Sequence, residues 1–234
     1  MLTRRNFCRC LGGAAAFVPA AVRAQTACAV FTPERQKATA PDEAIALLKQ
    51  GNERFVAGKS VNCDHLAQVK ETAAGQAPFA AIVGCIDSRV APELVFDQGI
   101  GDIFCARIAG NFVNTDIIGS MEFATKIAGA KAIVVLGHSN CGAIKGAIDR
   151  VQLGDLTAAL QNIEPAIESV GEIGGARDSH NYEFVQQVAM ANAKLAAQSI
   201  QRRSVAMSGL IDSGKLKVVS AMHDLTTGKV SWLS

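Results

Sequence analysis

Apolar residues along this chain fall into short, nearly continuous runs separated by stripes at helical spacing. Phe79-Ala-Ala-Ile-Val-Gly84, Asp102-Ile-Phe-Cys-Ala-Arg-Ile108 and Ala132-Ile-Val-Val-Leu-Gly137 are the three runs. Such runs predict strands buried on both faces. Between the second and third, Ile117, Met121 and Ala124 stripe a helix over 115–128, and a further helix-compatible stretch covers 142–151. Strand, helix, strand, helix implies a parallel sheet with covered faces. Upstream, Thr39 as cap, Pro41, the acids Asp42 and Glu43, and then Ile45, Leu48 and Phe55 predict an N-terminal helix. Downstream, a long helix is expected over 181–203, and 215–222 with 228–232 reads as a closing hairpin. With no internal repeat or linker, residues 25–234 read as one α/β domain, a central, mainly parallel β-sheet flanked by helices.

The first 24 residues follow another logic. Arg4 and Arg5 precede Phe7, an apolar run of twelve spans Leu11 to Val22, and Val22-Arg23-Ala24 is a small-residue cleavage signal. Twelve residues rising about 1.5 Å each cover only about 18 Å, short of a bilayer's roughly 30 Å core. Residues 1–24 therefore read as an export signal, and the paired arginines resemble the twin-arginine type, which carries folded proteins. The expectation is a periplasmic or secreted protein with no stable membrane span after signal removal.

Charge and cysteine content sharpen this picture. The formal net charge is +2, but the first 24 residues hold four arginines and no acid, leaving 19 basic against 21 acidic residues. A nucleic-acid surface is not indicated. Of seven cysteines, Cys8 and Cys10 would leave with the signal. Five then face an oxidising compartment, so at least one does something other than bridge. Cys28 and Cys63 could pair after export, or stay free. Cys105, inside a strand run, reads as a buried, inert thiol.

The chemistry lies where two strand runs end. The first gives way to Cys85-Ile-Asp87-Ser-Arg89 and the third to His138-Ser-Asn-Cys141-Gly142. In an open parallel sheet, ligands gather at the carboxyl ends of strands, so both clusters converge on one edge. Two thiols and an imidazole suit Zn²⁺, and three protein ligands leave a fourth, catalytic position open. Cys141 precedes the start of a helix, whose amides favour its thiolate. The spacing of Gly137 to Gly142 superficially suits a phosphate loop, but Ala143 stands where lysine is needed.

The chain resembles the β-class carbonic anhydrases. The matching segments are Cys85-Ile-Asp-Ser-Arg-Val, Pro92-Glu93, Gly101-Asp102, Arg107 with Ala109-Gly110-Asn111, Gly119-Ser120-Met-Glu122-Phe-Ala, and Gly137-His138-Ser-Asn-Cys141-Gly142. The resemblance runs from about Asp42 to Leu233 and implies the family's fold. It implies that Cys85, His138 and Cys141 bind zinc, that Asp87 and Arg89 form a hydrogen-bonded catalytic pair beside the metal, and that the reaction is reversible hydration of carbon dioxide to bicarbonate and a proton. In the family this aspartate can also swing onto the metal and close the site; the open state is expected here at neutral pH. Gln76 matches the glutamine that donates to a substrate oxygen from the partner subunit, and Phe104 matches an apolar wall of the substrate pocket. The family's site is completed across an interface, so a homodimer or homotetramer is expected.

Two positions depart from related subsets. Phe123 stands where plant-like members carry tyrosine, which implies a drier pocket. Ile82 replaces a tryptophan found with a regulatory bicarbonate pocket, so inhibition through that pocket is not expected although Arg107 is present. His65, His180 and His223 match no motif and read as surface residues, one of them a candidate proton relay. A zinc hydrolase of carbon disulfide or carbonyl sulfide is the rival on the same scaffold. A non-catalytic zinc-binding module is the rival from another class, and it would need none of Asp87, Arg89 and Gln76.

Overall fold

The computed structural model describes residues 28–233, so the expected export signal lies outside the described residues. Helices α1 (Pro33–Ala38), α2 (Pro41–Val56) and α3 (His65–Thr72) lead into strand β1 (Ala80–Gly84). Next come α4 (Pro92–Val95), β2 (Ile103–Arg107) and α5 (Thr115–Glu122), which continues as a π-turn over Phe123–Ile127. Strand β3 (Ala132–His138) is followed by α6 (Gly142–Ile148), α7 (Gly154–Gln161), α8 (Glu164–Ser169), α9 (Tyr182–Arg203) and α10 (Val205–Asp212). Strands β4 (Lys217–His223) and β5 (Val230–Leu233) close the chain's described part.

The strands form one sheet in the order β2-β1-β3-β4-β5, parallel except for β5, which pairs antiparallel with β4. β1 and β3 are buried along their whole length, as their unbroken apolar runs require. Alternate residues of β3 serve opposite faces. Ala132, Val134 and Leu136 pack with α2 residues Ala44, Ile45 and Leu48, while Ile133 and Val135 pack with α5, α6, α9 and α10. Helix α9 lays Val185, Val188, Ala189, Ala193, Ala196 and Ile200 on that second face. Its alanines permit close approach, and Gly137 of β3 answers them: a Cβ there would lie 2.6 Å from Met222 Sδ and 3.4 Å from Ala193 Cβ.

Three local expectations shift. Thr39 does not cap α2; the N-cap is Ala40, and Thr39 Oγ1 instead donates to Arg35 O at 2.8 Å, closing α1. The helix expected over 115–128 changes pitch at Phe123, where Ala128 N–H bonds to Phe123 O. The stretch expected as helical over 142–151 ends at Ile148, because Asp149 leaves helical geometry and Arg150 takes a positive φ of 53°. Among the described residues, Cys28 and Cys63 form a disulfide, which resolves the open question of their pairing.

Candidate metal centre

Because β1 and β3 are parallel neighbours in register, with Gly84 opposite Leu136, both end at the same edge of the sheet. Cys85 follows β1 directly, His138 is the last residue of β3, and Cys141 is the N-cap residue of α6. Their ligand atoms lie within 4.8 Å of one another, and all three residues are buried. The two sulfurs are 3.9 Å apart. His138 Nδ1 faces Ser139 O at 3.0 Å, which fixes the proton there and leaves the lone pair on Nε2. That Nε2, in a fully buried ring, has no hydrogen-bond partner.

The thiols form a pair in which one proton is shared. Cys141 S–H donation, with help from the Gly110 N–H, holds Cys85 well below the ordinary thiol range against the opposing effect of burial. Cys141 is correspondingly pushed up, first by that hydrogen bond and then by burial. The helix amides of Ala143 and Ile144 act on Cys141 in the expected direction, but the neighbouring sulfur outweighs them. A cation between the sulfurs would take the place of the shared proton.

A second layer of bonds fixes the loop after β1. Arg89 grips Asp87 through Nε to Oδ1 at 2.9 Å and Nη2 to Oδ2 at 2.7 Å, while its backbone N–H donates to Oδ1 at 3.0 Å. These bonds hold the Asp87 carboxyl far below the usual carboxylate range. Asp87 Oδ2 is 3.9 Å from His138 Nε2. Arg107, opposite Gly84 at the end of β2, donates from Nε to Cys85 O at 2.9 Å and from Nη2 to Asp87 O at 2.7 Å. Gly110 N–H donates to Cys85 Sγ at 3.3 Å. Gly110 has φ +82°, and a Cβ there would meet Ile163 Cδ1 at 2.7 Å, so glycine alone fits. Its carbonyl accepts from the buried Asn192 Nδ2 at 2.7 Å.

A family model described as carbonic anhydrase matches residues 80–230. The β-carbonic anhydrase CafA of Aspergillus fumigatus shares the fold with a TM-score of 0.62 and 26% identity, covering 82% of this chain and 91% of its own. The chain belongs to the β-carbonic anhydrase family. Carbonic anhydrase 2 of Mycobacterium tuberculosis is 39% identical over 199 residues, 82% of this chain and 92% of the relative. A Pseudomonas aeruginosa carbonic anhydrase is 30% identical over 171 residues, 70% of this chain and 77% of the relative.

β-Carbonic anhydrases use zinc, and the residues present fit it. Tetrahedral zinc with bonds of about 2.3 Å to sulfur would place two thiolates about 3.8 Å apart, against the observed 3.9 Å. The unpartnered Nε2 of His138 supplies the nitrogen.

The other site residues expected of a β-carbonic anhydrase are placed less uniformly. Phe104, on β2, packs edge-on to Phe123 with ring centroids 6.2 Å apart and faces the same core as Cys85 and Cys141. Phe123 is 53% exposed in the single chain. Gln76 is exposed and lies before β1, at the end of the strand opposite Cys85, so it does not join its own chain's metal cluster. Ile82 is buried in β1. Cys105 is only partly buried, being on edge strand β2; burial, then Glu93, raises its thiol out of the reactive range.

His223 corrects the expectation of a surface residue. It is 3% exposed, stands beside His138 in the β3–β4 register, and neither ring nitrogen has a partner. Burial and the neighbouring His138 lower its pKa. His65 and His180 are exposed, as expected. Sequence reading also passed over Arg107 and Asn192 as supports of the site. For Asn192 a signal existed: an amide in the apolar stripe of α9 needs a buried partner. Replacing Arg107 with alanine is expected to strip the Cys85 carbonyl of its side-chain donor and leave the Asp87 carbonyl only the Val90 N–H. Zinc affinity should fall about 10–100-fold, measured by competition with a chromophoric chelator.

Proposed function

We propose that this enzyme catalyses the reversible hydration of carbon dioxide to bicarbonate and a proton, with Cys85, His138 and Cys141 holding zinc. The observation that carries the reading is Asp87, locked by Arg89 as an ionised acceptor 3.9 Å from the free nitrogen of His138. A purely structural metal site needs no such group. Bound there, zinc would supply Lewis acidity, lowering the pKa of a water in the fourth position toward neutrality.

The chain's own residues do the rest. Gly110 N–H draws negative charge from the Cys85 sulfur, offsetting part of the thiolates' quenching of the metal. Asp87 Oδ1 accepts two bonds from Arg89, whereas Oδ2 accepts only one and keeps a second lone pair. Oδ2 can therefore accept an O–H from the nucleophile and aim its lone pair at the carbon of the substrate. Held by Arg89, the Asp87 carboxylate would not compete for a bound zinc, which is the open arrangement. Phe104 and Phe123 wall the approach with apolar surface suited to an uncharged, linear substrate.

Gln76 acts in the site of a second copy, which makes the working form a homodimer or homotetramer. Its exposure at the far end of β1 supports this, as do the exposed Ile86, Phe123 and Ile127. Residues 1–24 are the export signal, 25–234 the enzyme domain, and the location periplasmic or secreted. The Cys28–Cys63 disulfide supports an oxidising compartment. Among the described residues no helix is long and apolar enough to cross a membrane.

Stopped-flow hydration from about pH 6.5 to 9, with zinc content on the same sample, tests the reading. Activity rising with pH, at about one zinc per chain, is expected. Zinc without hydration at any pH would overturn it, and carbon disulfide would be the next substrate to offer.

A further inference from the structure

The segment 28–36 touches the fold at three places: helix α3 and its N-terminal end, the turn before β2 together with Phe79, and Pro78 at the end of the loop that carries Gln76. Cys28 is bonded to Cys63, immediately before Asp64, the N-cap residue of α3. The Cys28 carbonyl also accepts from Gln68 Nε2 at 3.0 Å; Gln68 is 4% exposed, and its Oε1 accepts from Ile100 N–H at 3.1 Å. Phe31 N–H donates to Asp102 Oδ1 at 3.3 Å, and its ring lies 4.8 Å from that of Phe79. Gln36 Nε2 donates to Pro78 O at 2.6 Å and to Ala128 O at 2.7 Å.

Gln76 lies between these anchors, with α3 before it and Pro78 after it. Helix α3 has little hold of its own: Gln68 is its one buried residue, while Leu66 and Val69 are exposed. An eight-residue helix with so little apolar burial opens easily unless something ties it down. The disulfide and the Gln68 bond tie down α3, the helix that leads into the loop, and Gln36 ties Pro78 at the loop's other end.

We infer that the arm 28–36, closed by the Cys28–Cys63 disulfide, is a clamp that positions the Gln76 loop for the active site of a second copy of this chain. Gln36, Gln68 and the disulfide are positioning elements; they touch no substrate. The inference rests on the reading of Gln76 given above. A side chain that must place an amide within a few tenths of an ångström of a substrate across an interface gains most from such restraint.

The test is a cycle on the zinc-loaded full-length mature enzyme with three forms: Cys28→Ser with Cys63→Ser, Gln76→Ala, and all three changes together. Substitution is preferable to a thiol reductant, which would compete for zinc. All forms should hold zinc as the parent does. The serine pair should lower kcat/KM by about three- to tenfold and Gln76→Ala by about tenfold or more. In the Gln76→Ala background the serine pair should have no further effect, because the clamp acts through Gln76. Amide exchange over residues 73–78 should quicken in the serine pair. Gln36→Ala, which leaves the disulfide intact, should reproduce a smaller version of the same loss if the serine pair fails to fold.

Equal losses in both backgrounds would overturn the clamp in favour of general stabilisation. Full activity of the serine pair, with Gln76→Ala impaired, would overturn the clamp alone. Full activity of Gln76→Ala would overturn the reading of Gln76, and the clamp with it.

Discussion

Cys141→Ser should lose its zinc and, with it, nearly all activity. Cys141 is buried against Cys85 and His138, where a serine hydroxyl, far less acidic than a thiol, offers almost no ligand to zinc. Two ligands remain, too few for tight binding, so dialysed protein should hold well under a tenth of an equivalent of metal, on the order of a hundredfold or greater loss of affinity. Hydration should fall by on the order of a thousandfold or more, since the metal supplies the nucleophile. The fold should survive, because serine is smaller and is itself a favoured residue at the helix N-cap position that Cys141 occupies. Metal analysis beside far-ultraviolet circular dichroism checks both halves. Tight stoichiometric zinc in this variant would remove Cys141 from the ligand set.

Asp87→Ala should separate chemistry from metal binding. Asp87 is not part of the three-residue ligand group, so zinc should remain at the parent level. Its loss removes the acceptor that orients the nucleophile, a contribution of about 10²- to 10⁴-fold in comparable acid–base roles. Stability should change little. The partner Arg89 has a side chain 55% exposed and is solvated readily when left alone. The sign of the pH effect follows from Arg89 as well. A carboxylate held far below its usual range contributes above its unfolded pKa, and that contribution is lost only as pH falls through the depressed folded value. Asp87 therefore stays ionised from pH 7 down to about 5, and any acid-side loss of activity there comes from another group. Stopped-flow rates with zinc analysis on the variant decide the point, and full activity would end the role given to Asp87.

The sheet was readable because its strands are buried on both sides and so carry uninterrupted apolar runs. β1, β2 and β3 begin and end within a residue or two of the predicted runs, as does the 22-residue α9. The small helices α3, α4, α7, α8 and α10 were not readable. Each has four to eight residues, too few to show a period, and their starts depend on individual caps such as Asp64 and Ser204. The π-turn at Phe123 likewise leaves no mark in the pattern. It arises where the end of α5 meets α10, with Ser204 Oγ donating to Glu122 Oε1 at 2.6 Å.

By itself, the sequence determined the α/β class, the strand ends that carry chemistry, and the ligand types Cys85, His138 and Cys141. These are properties of local periodicity and of residue chemistry at fixed spacing. Only the tertiary structure decided what surrounds the ligands. The register of β3 with β4 buries His223 beside His138, and that of β1 with β2 turns Arg107 onto the Cys85 and Asp87 carbonyls. The packing of α9 brings Asn192 to Gly110, and the path of the N-terminal arm brings Cys28 to Cys63 across 35 residues. Such meetings depend on how crossover connections pack against the sheet, and packing is settled by the whole core at once.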